Sequence, residues 1–217
     1  MTEDKESFYM SVRRFPVGPI VRLLCKFEVV GEERLPRDGG YILASNHLRW
    51  YDPIVLAVYI WTQIAFGAKI ELFQKPVIGR IMKRIEQIPL QRQGGNRDEV
   101  LAELVKEARD TMDHGRVFGL FPEGTRSPDG RLYKFHPGVT KVAFETKRLI
   151  LPVGVTYSRA GLKLVVRIVV GQPIHSAEYD STRELTKAIR EQIRECTGQA
   201  LAEIDAKKYR EQLRAAK

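Results

Sequence analysis

The chain has 217 residues, 43% hydrophobic and 29% charged, ordinary values for a globular protein with enough interior for one sizeable core. Thirty-six Lys and Arg against 27 Asp and Glu leave a formal charge of +9, and a surface that basic attracts nucleic acid, anionic lipid or phosphorylated small molecules alike. Cys25 and Cys196 fit no metal spacing or disulfide framework, which points to a reducing, intracellular setting, and Met1-Thr2-Glu3-Asp4 does not begin a signal peptide. No apolar run approaches the roughly 20 residues of a membrane span, so any membrane contact is expected to be peripheral.

Residues 6–26 read as an amphipathic segment. Phe8, Tyr9, Val12, Phe15, Ile20, Val21, Leu23 and Leu24 supply apolar surface, and Arg13, Arg14, Arg22 and Lys26 supply charge. Pro16, Gly18 and Pro19 divide it into two short helices. Such a segment either lies in a lipid headgroup layer, with arginines near phosphates, or packs on the core with its charges solvated; amphipathic patterning serves both. The organisation expected is this segment, residues 1–26, followed by one domain over residues 27–217.

Within that domain, residues 27–31 read as a strand, followed by a turn around Pro36 and Asp38-Gly39-Gly40. Residues 41–44 read as a buried strand, and a helix opened by Asp52-Pro53 runs to about Gln63. A strand over 64–68 and a helix over 77–85 come next, the helix carrying Arg80, Lys83 and Arg84 on its polar side. Residues 87–92 form a strand that Pro89 makes irregular or confines to a sheet edge.

Asn96 reads as an N-cap, followed by a helical stripe of Leu101, Leu104, Val105, Ala108 and Met112 that Gly115 stops. A strand over 116–121, a turn at 127–130, a helix over 138–147 and a hairpin of 149–155 with 162–170 follow. Residues 181–217 read as one amphipathic helix or a pair, with Leu185, Ala188, Ile189, Ile193 and Ala200 inward. This alternation predicts an α/β fold: a single domain with a mixed, mostly parallel sheet flanked by helices.

The stretch with chemistry in it is Ser45-Asn46-His47-Leu48-Arg49-Trp50-Tyr51-Asp52-Pro53, in the loop that leaves the strand 41–44 at its carboxyl end, where open α/β sheets place ligands. Four residues separate His47 from Asp52, too many for one helix face. Across a tight strand-to-helix turn the carboxylate instead accepts from the imidazole, fixing its tautomer and raising the basicity of the other ring nitrogen. On spacing alone a histidine merely satisfied in a loop explains the pattern as well.

A second motif, Phe121-Pro122-Glu123-Gly124-Thr125-Arg126-Ser127, decides between them. With Asn46-His47-x-x-x-x-Asp52 upstream, the chain resembles the glycerolipid acyltransferase family typified by lysophosphatidic acid (1-acyl-glycerol-3-phosphate) acyltransferase, over roughly residues 29–172. The resemblance implies transfer of a fatty acyl group from acyl-CoA or acyl carrier protein to a lysophospholipid hydroxyl, with no metal or redox cofactor. His47 is then the general base and Asp52 the acid that orients it. The acceptor hydroxyl is itself the nucleophile, so direct transfer is expected and Ser45 has no covalent role. The oxyanion meets backbone N–H groups or a bound water.

The resemblance also associates Glu123, Gly124, Thr125 and Arg126 with the glycerophosphate acceptor, a role that suits the planar guanidinium fork. By the same carry-over Arg92 ends the preceding strand beside the acceptor phosphate, and Lys69, Glu71 and Leu72 lie beside the site. Pro152 and Val153 match the family's later proline-valine strand. Arg92 and Lys69 read equally as solvated surface charges. Three departures stand out: Arg49 where a small hydroxyl residue is common, a further phosphate grip or a narrower acceptor pocket; His136 where Lys is common, with Lys134 nearby; and an amphipathic segment where relatives carry a hydrophobic anchor. His114 and His175 are assigned no chemistry.

The expected setting is the cytoplasmic side of a membrane, peripherally bound, without a transmembrane helix and without nucleic acid as partner. The rivals are an acyltransferase using another acceptor (glycerol 3-phosphate, a different lysophospholipid or a specialised lipid), a non-catalytic lipid-binding module, and a nucleic-acid binder suggested only by charge.

Overall fold

Among the described residues, 8–90 and 96–215 of a computed structural model, seven strands form one sheet. They are β1 (Cys25–Val30), β2 (Ile42–Ser45), β3 (Ile64–Lys69), β4 (Ile88–Leu90), β5 (Val117–Leu120), β6 (Ile150–Ala160) and β7 (Lys163–Val170). The spatial order is β1-β7-β6-β2-β5-β3-β4, and every neighbouring pair is parallel except the hairpin β6–β7. The helices are α1 (Gly18–Leu24), α2 (Asp52–Tyr59), α3 (Ile70–Phe73), α4 (Pro76–Arg84), α5 (Arg97–Asp113), α6 (Gly138–Thr146), α7 (Thr182–Thr197) and α8 (Ala206–Ala215).

The central strand β2 is buried on both faces, as a parallel strand covered by helices requires. Because side chains alternate across a strand, Ile42 and Ala44 point to one core and Leu43 to the other. The first core joins them to Leu104, Ala108 and Met112 of α5, Val139 and Val142 of α6, and Leu185, Ile189 and Ile193 of α7. The second joins Leu43 to Val55 and Leu56 of α2, Val153 of β6 and Val166 and Ile168 of β7. At about 25 cal/mol per Å² of apolar area, these two layers are the main stabilising contribution of the fold.

Several predicted boundaries move, each for a visible reason. The helix after the first motif stops at Tyr59 rather than near Gln63, since Ile60 is extended and the Arg13 guanidinium takes the Val58 and Trp61 carbonyls at 3.0 and 2.9 Å. A cation at a helix carboxyl end is favourable for both hydrogen bonding and dipole. β6 runs on to Ala160 because its pairing with β7 continues to Ala160↔Lys163. Pro152 sits in that central strand one residue before pairing with β7 begins at Val153, so its missing N–H leaves no ladder partner there. Pro89 lies on the edge strand β4, as its ring demands. Asn96 caps α5 by accepting from the Asp98 N–H. Ala200, expected inward, is exposed, because α7 ends at Gly198 in the left-handed region and the chain turns away.

The amphipathic N-terminal segment packs on the domain with one side only. Tyr9 and Arg13 are buried against the domain, and the Arg13 guanidinium lies over the Trp61 ring at 4.5 Å. Phe15, Ile20, Leu23 and Leu24 remain exposed, with Arg14 and Arg22 beside them. Strand β1 begins at Cys25, ahead of the residue 27 expected from sequence. No helix among the described residues is long and apolar enough to cross a membrane.

Candidate active site

β2 and β5 are adjacent and parallel, so the loops leaving their carboxyl ends emerge side by side at one edge of the sheet. One loop carries His47 and the other Glu123 to Ser127. Asn46 makes the first loop possible. As β2 leaves the sheet, the Asn46 amide replaces a peptide unit in the ladder: Nδ2 donates to the Val155 carbonyl at 2.9 Å and Oδ1 accepts from the Val155 N–H at 2.8 Å. The two loops are then tied directly by the Ser127 N–H, which donates to the His47 carbonyl at 2.7 Å.

Asp52 opens α2 and is fully buried. Its Oδ2 accepts from His47 Nδ1 at 2.8 Å and from the N–H groups of Leu48 and Arg49 at 2.7 and 2.8 Å. Its Oδ1 accepts from the Tyr157 hydroxyl at 2.5 Å. Burial, followed by the neighbouring Asp52 charge, pushes the Tyr157 phenol up, which keeps it a donor. A carboxylate only accepts, so Nδ1 of His47 carries the proton and Nε2 presents a lone pair. The expected His47–Asp52 pairing is therefore present, and Tyr157 is an additional member that sequence reasoning missed. It lies 105 residues from Asp52 in the chain, and no spacing signal links the two.

The His47 ring is held from behind by stacking. Its centroid lies 4.1 Å from that of Phe121, which in turn stacks on Phe66 at 5.2 Å. Gly119 leaves the space Phe66 needs: a Cβ there would lie 2.5 Å from Phe66 Cδ1. A glycine in a strand interior weakens the strand, and here the close approach of an aromatic ring accounts for it.

Glu123 has a different position from the one its motif suggests. It is 1% exposed, its Oε1 accepts from the His47 N–H at 3.0 Å, and its Oε2 accepts from the Tyr133 N–H at 2.9 Å. Both oxygens are thus taken by main-chain donors, and the side chain ties the His47 loop to the segment before α6. Burial pushes its carboxyl up to about 7, against the lowering pull of those two N–H groups and of Arg190.

Beside Phe121 and Glu123 opens a cavity of about 740 Å³. Leu90, Leu101, Leu104 and Leu120 supply an apolar floor. Lys69, Lys207, Arg210 and Arg214 supply cations, and Gly124, Thr125 and His136 complete the wall beneath the loop. Gly124 has φ +67, and a Cβ there would lie 2.8 Å from the His136 ring, so glycine is required on both counts. His136, rather than Lys134, lines the cavity; its Nε2 sits 3.1 Å from Asp205 Oδ2.

Among the other expected residues, Lys69 and Glu71 line the cavity and Leu72 does not. Arg126 is exposed one residue beyond Thr125. Arg49 is exposed and contributes its backbone N–H to Asp52. Arg92 lies outside the described residues. Ser45 is fully buried, with Oγ donating to the Asn46 carbonyl at 3.2 Å, and is not presented to the cavity.

An oriented imidazole at the carboxyl edge of a mostly parallel sheet, stacked on a Phe121 that lines a cavity with an apolar floor and a basic rim, is the layout of an α/β enzyme. The family model described as Acyltransferase matches residues 26–156, and the chain belongs to that family. It is 30% identical over 181 residues to the 1-acyl-sn-glycerol-3-phosphate acyltransferase of Bacillus subtilis, covering 77% of this chain and 86% of the relative. It is 25% identical over 186 residues to the protein of the same description from Pseudomonas aeruginosa, covering 82% of this chain and 70% of the relative. The crystal structure of the 1-acyl-sn-glycerophosphate acyltransferase PlsC of Thermotoga maritima superposes with a TM-score of 0.71 over 88% of this chain and 79% of that one. At 23% identity that likeness establishes the fold, a mixed and mostly parallel sheet flanked by helices.

Two expectations follow from this geometry. Tyr157→Phe removes one donor to a buried carboxylate and is expected to slow acyl transfer about tenfold, measured as thiol released per unit time; an unchanged rate would show that Asp52 needs no fourth donor. Glu123 binds its proton more tightly folded than unfolded, so wild-type stability is expected to fall as pH rises from about 4.5 to about 7 and to level off above, by about 3 kcal/mol at most. Glu123→Gln lacks that slope. Denaturant unfolding across this window checks it, and parallel curves for both proteins would contradict it.

Proposed function

We propose that this chain transfers a fatty acyl group from a thioester donor, acyl-CoA or acyl carrier protein, to the free hydroxyl of 1-acyl-glycerol 3-phosphate, forming phosphatidic acid. The observation that carries the reading is the His47–Asp52–Tyr157 arrangement beside a cavity with an apolar floor and a basic rim. The names of the Bacillus and Pseudomonas relatives support the acceptor.

In this mechanism His47 Nε2 takes the proton of the acceptor hydroxyl as its oxygen bonds to the thioester carbonyl carbon. The tetrahedral intermediate collapses by breaking the carbon–sulfur bond, and the imidazolium returns the proton to the departing thiolate. Asp52 stabilises the imidazolium in between, and its three other donors hold it in place. Arg126 meets the acceptor phosphate, Thr125 and Gly124 shape the approach, and Glu123 holds the two loops at the distance the reaction needs. Lys69 and Arg49 add positive charge around the acceptor. The Leu90–Leu104 floor accommodates an acyl chain. No metal or redox cofactor takes part.

The exposed Phe15, Ile20, Leu23 and Leu24, with Arg14 and Arg22, support peripheral docking on the anionic cytoplasmic face of a membrane, apolar side in the headgroup layer. A second reading, transfer to another phosphorylated or lysolipid acceptor, is favoured by Arg49, exposed in the His47 loop at a position where the family often has a small hydroxyl residue.

His47→Ala is expected to abolish acceptor-dependent thiol release from a long-chain acyl thioester in a folded protein, a loss of about 10³-fold or more; equal release by both proteins would move the base elsewhere. Binding to phosphatidylglycerol-containing vesicles is expected to weaken with added salt and with Leu23→Gln plus Leu24→Gln. Co-sedimentation insensitive to both would remove this segment as the docking element.

A further inference from the structure

The carboxyl-terminal helix α8 brings three cations to the cavity wall: Lys207, Arg210 and Arg214, at spacings of three and four residues, share one helical face. Arg210 is half-buried, and its guanidinium donates to the Arg126 carbonyl at 2.6 Å. The next residue, Ser127, donates its N–H to the His47 carbonyl at 2.7 Å. Arg210 on α8 is thereby linked through the Arg126–Ser127 peptide unit to the main chain of His47.

Nothing among the described residues neutralises this group. Among the described residues, Lys207, Arg126, Arg210 and Arg214 form no ion pair, whereas the nearby Arg131 is held by Asp129 at 2.8 Å and lies over the Tyr133 and Tyr209 rings. Glu71 and Glu211 are exposed on the cavity wall, and the buried Glu123 is occupied by backbone donors. Burial and then the charges of Arg126 and Arg214 push the Arg210 guanidinium down.

Arg214 is not needed to dock the helix, and Arg210 is only one of its attachments. α8 is attached by the buried Ala206, by Tyr209 against Tyr133 at 5.7 Å between ring centroids, and by Asp205. Asp205 caps the helix through the Lys207 N–H at 2.8 Å with one oxygen and faces His136 with the other.

We propose that α8 is a working part of the substrate site: Arg210 and Arg214, together with Arg126, bind the phosphomonoester of the acceptor while its acyl chain lies on the Leu90–Leu104 floor. The inference rests on the acyl-transfer reading above. A phosphomonoester carries a charge of about −1.5 to −2 near neutral pH and three acceptor oxygens, more than one exposed guanidinium can match. Two arginines from α8, one of them oriented by the Arg126 carbonyl, supply the remaining charge and donors. They also favour a phosphorylated acceptor over a neutral one of equal chain length.

The test uses the full chain with a short-chain lysophosphatidic acid below its micelle concentration, and the matching monoacylglycerol as the analogue without phosphate. Arg210→Gln and Arg214→Gln are expected to weaken equilibrium binding of the lysophosphatidic acid about tenfold each and to leave monoacylglycerol binding unchanged. Lys187→Gln, which removes the same charge from the exposed side of α7, is expected to change neither. In turnover, the two arginine variants are expected to raise KM for lysophosphatidic acid about tenfold with KM for the thioester donor unaltered. Arg214 makes no docking contact among the described residues, so wild-type binding by Arg214→Gln would overturn the proposal without a folding ambiguity. A rise confined to the donor KM would overturn it as well, assigning α8 to the donor's phosphates. Phosphate-dependent binding that the arginine variants lose, in a wild type that does not turn over, would uphold the site and defeat the acyl-transfer reading.

Discussion

A carboxylate with no exposed surface must have its lone pairs met by the protein, and Asp52 imposes that demand on every element around it. Two donors come from the turn that follows His47, one from the His47 ring and one from Tyr157 on the far strand β6. The turn can supply its N–H groups only by folding tightly onto the first residue of α2. That tight turn is what aims the imidazole. α2 is held at its other end by Arg13, which takes the Val58 and Trp61 carbonyls. The helix that positions the acid is thus secured at both termini by polar contacts.

The two buried carboxylates of the site work in opposite ways. Asp52 accepts from four donors, two of them side chains. Glu123 has two backbone donors, and its burial raises its carboxyl to about 7. Its contacts run to the main chain of His47 and Tyr133, so it acts on the reaction through loop spacing. Arg126, three residues on, remains exposed and available. A single motif therefore divides into a buried strut and an exposed arginine, held apart by Gly124, whose positive φ reverses the chain over His136.

Charge and apolar surface are segregated around this centre. The basic residues that raise the net charge to +9 are concentrated in part at the cavity rim and along the N-terminal segment. The N-terminal segment presents two sides: Tyr9 and Arg13 face the domain, and Phe15, Leu23 and Leu24 face outward. Its pattern alone could not separate core packing from lipid contact, because both present the same alternation of apolar and basic residues.

Much of this architecture was legible in the chain. The alternation of apolar runs with capped helical stripes set the α/β class, Asn96, Gly115 and Pro89 marked ends and an edge, and five-residue spacing joined His47 to Asp52 through a turn that local chemistry dictates. These are short-range features, and short-range features are written in the sequence. Tertiary structure alone decided that β5 lies against β2, which sets Glu123 under His47 across 76 residues. It also decided that β6 delivers Tyr157 to Asp52, that Gly119 yields its space to Phe66, and that α8 returns three cations to the cavity. Strand order and helix docking depend on which apolar faces cover one another, and no local pattern of residues records that choice.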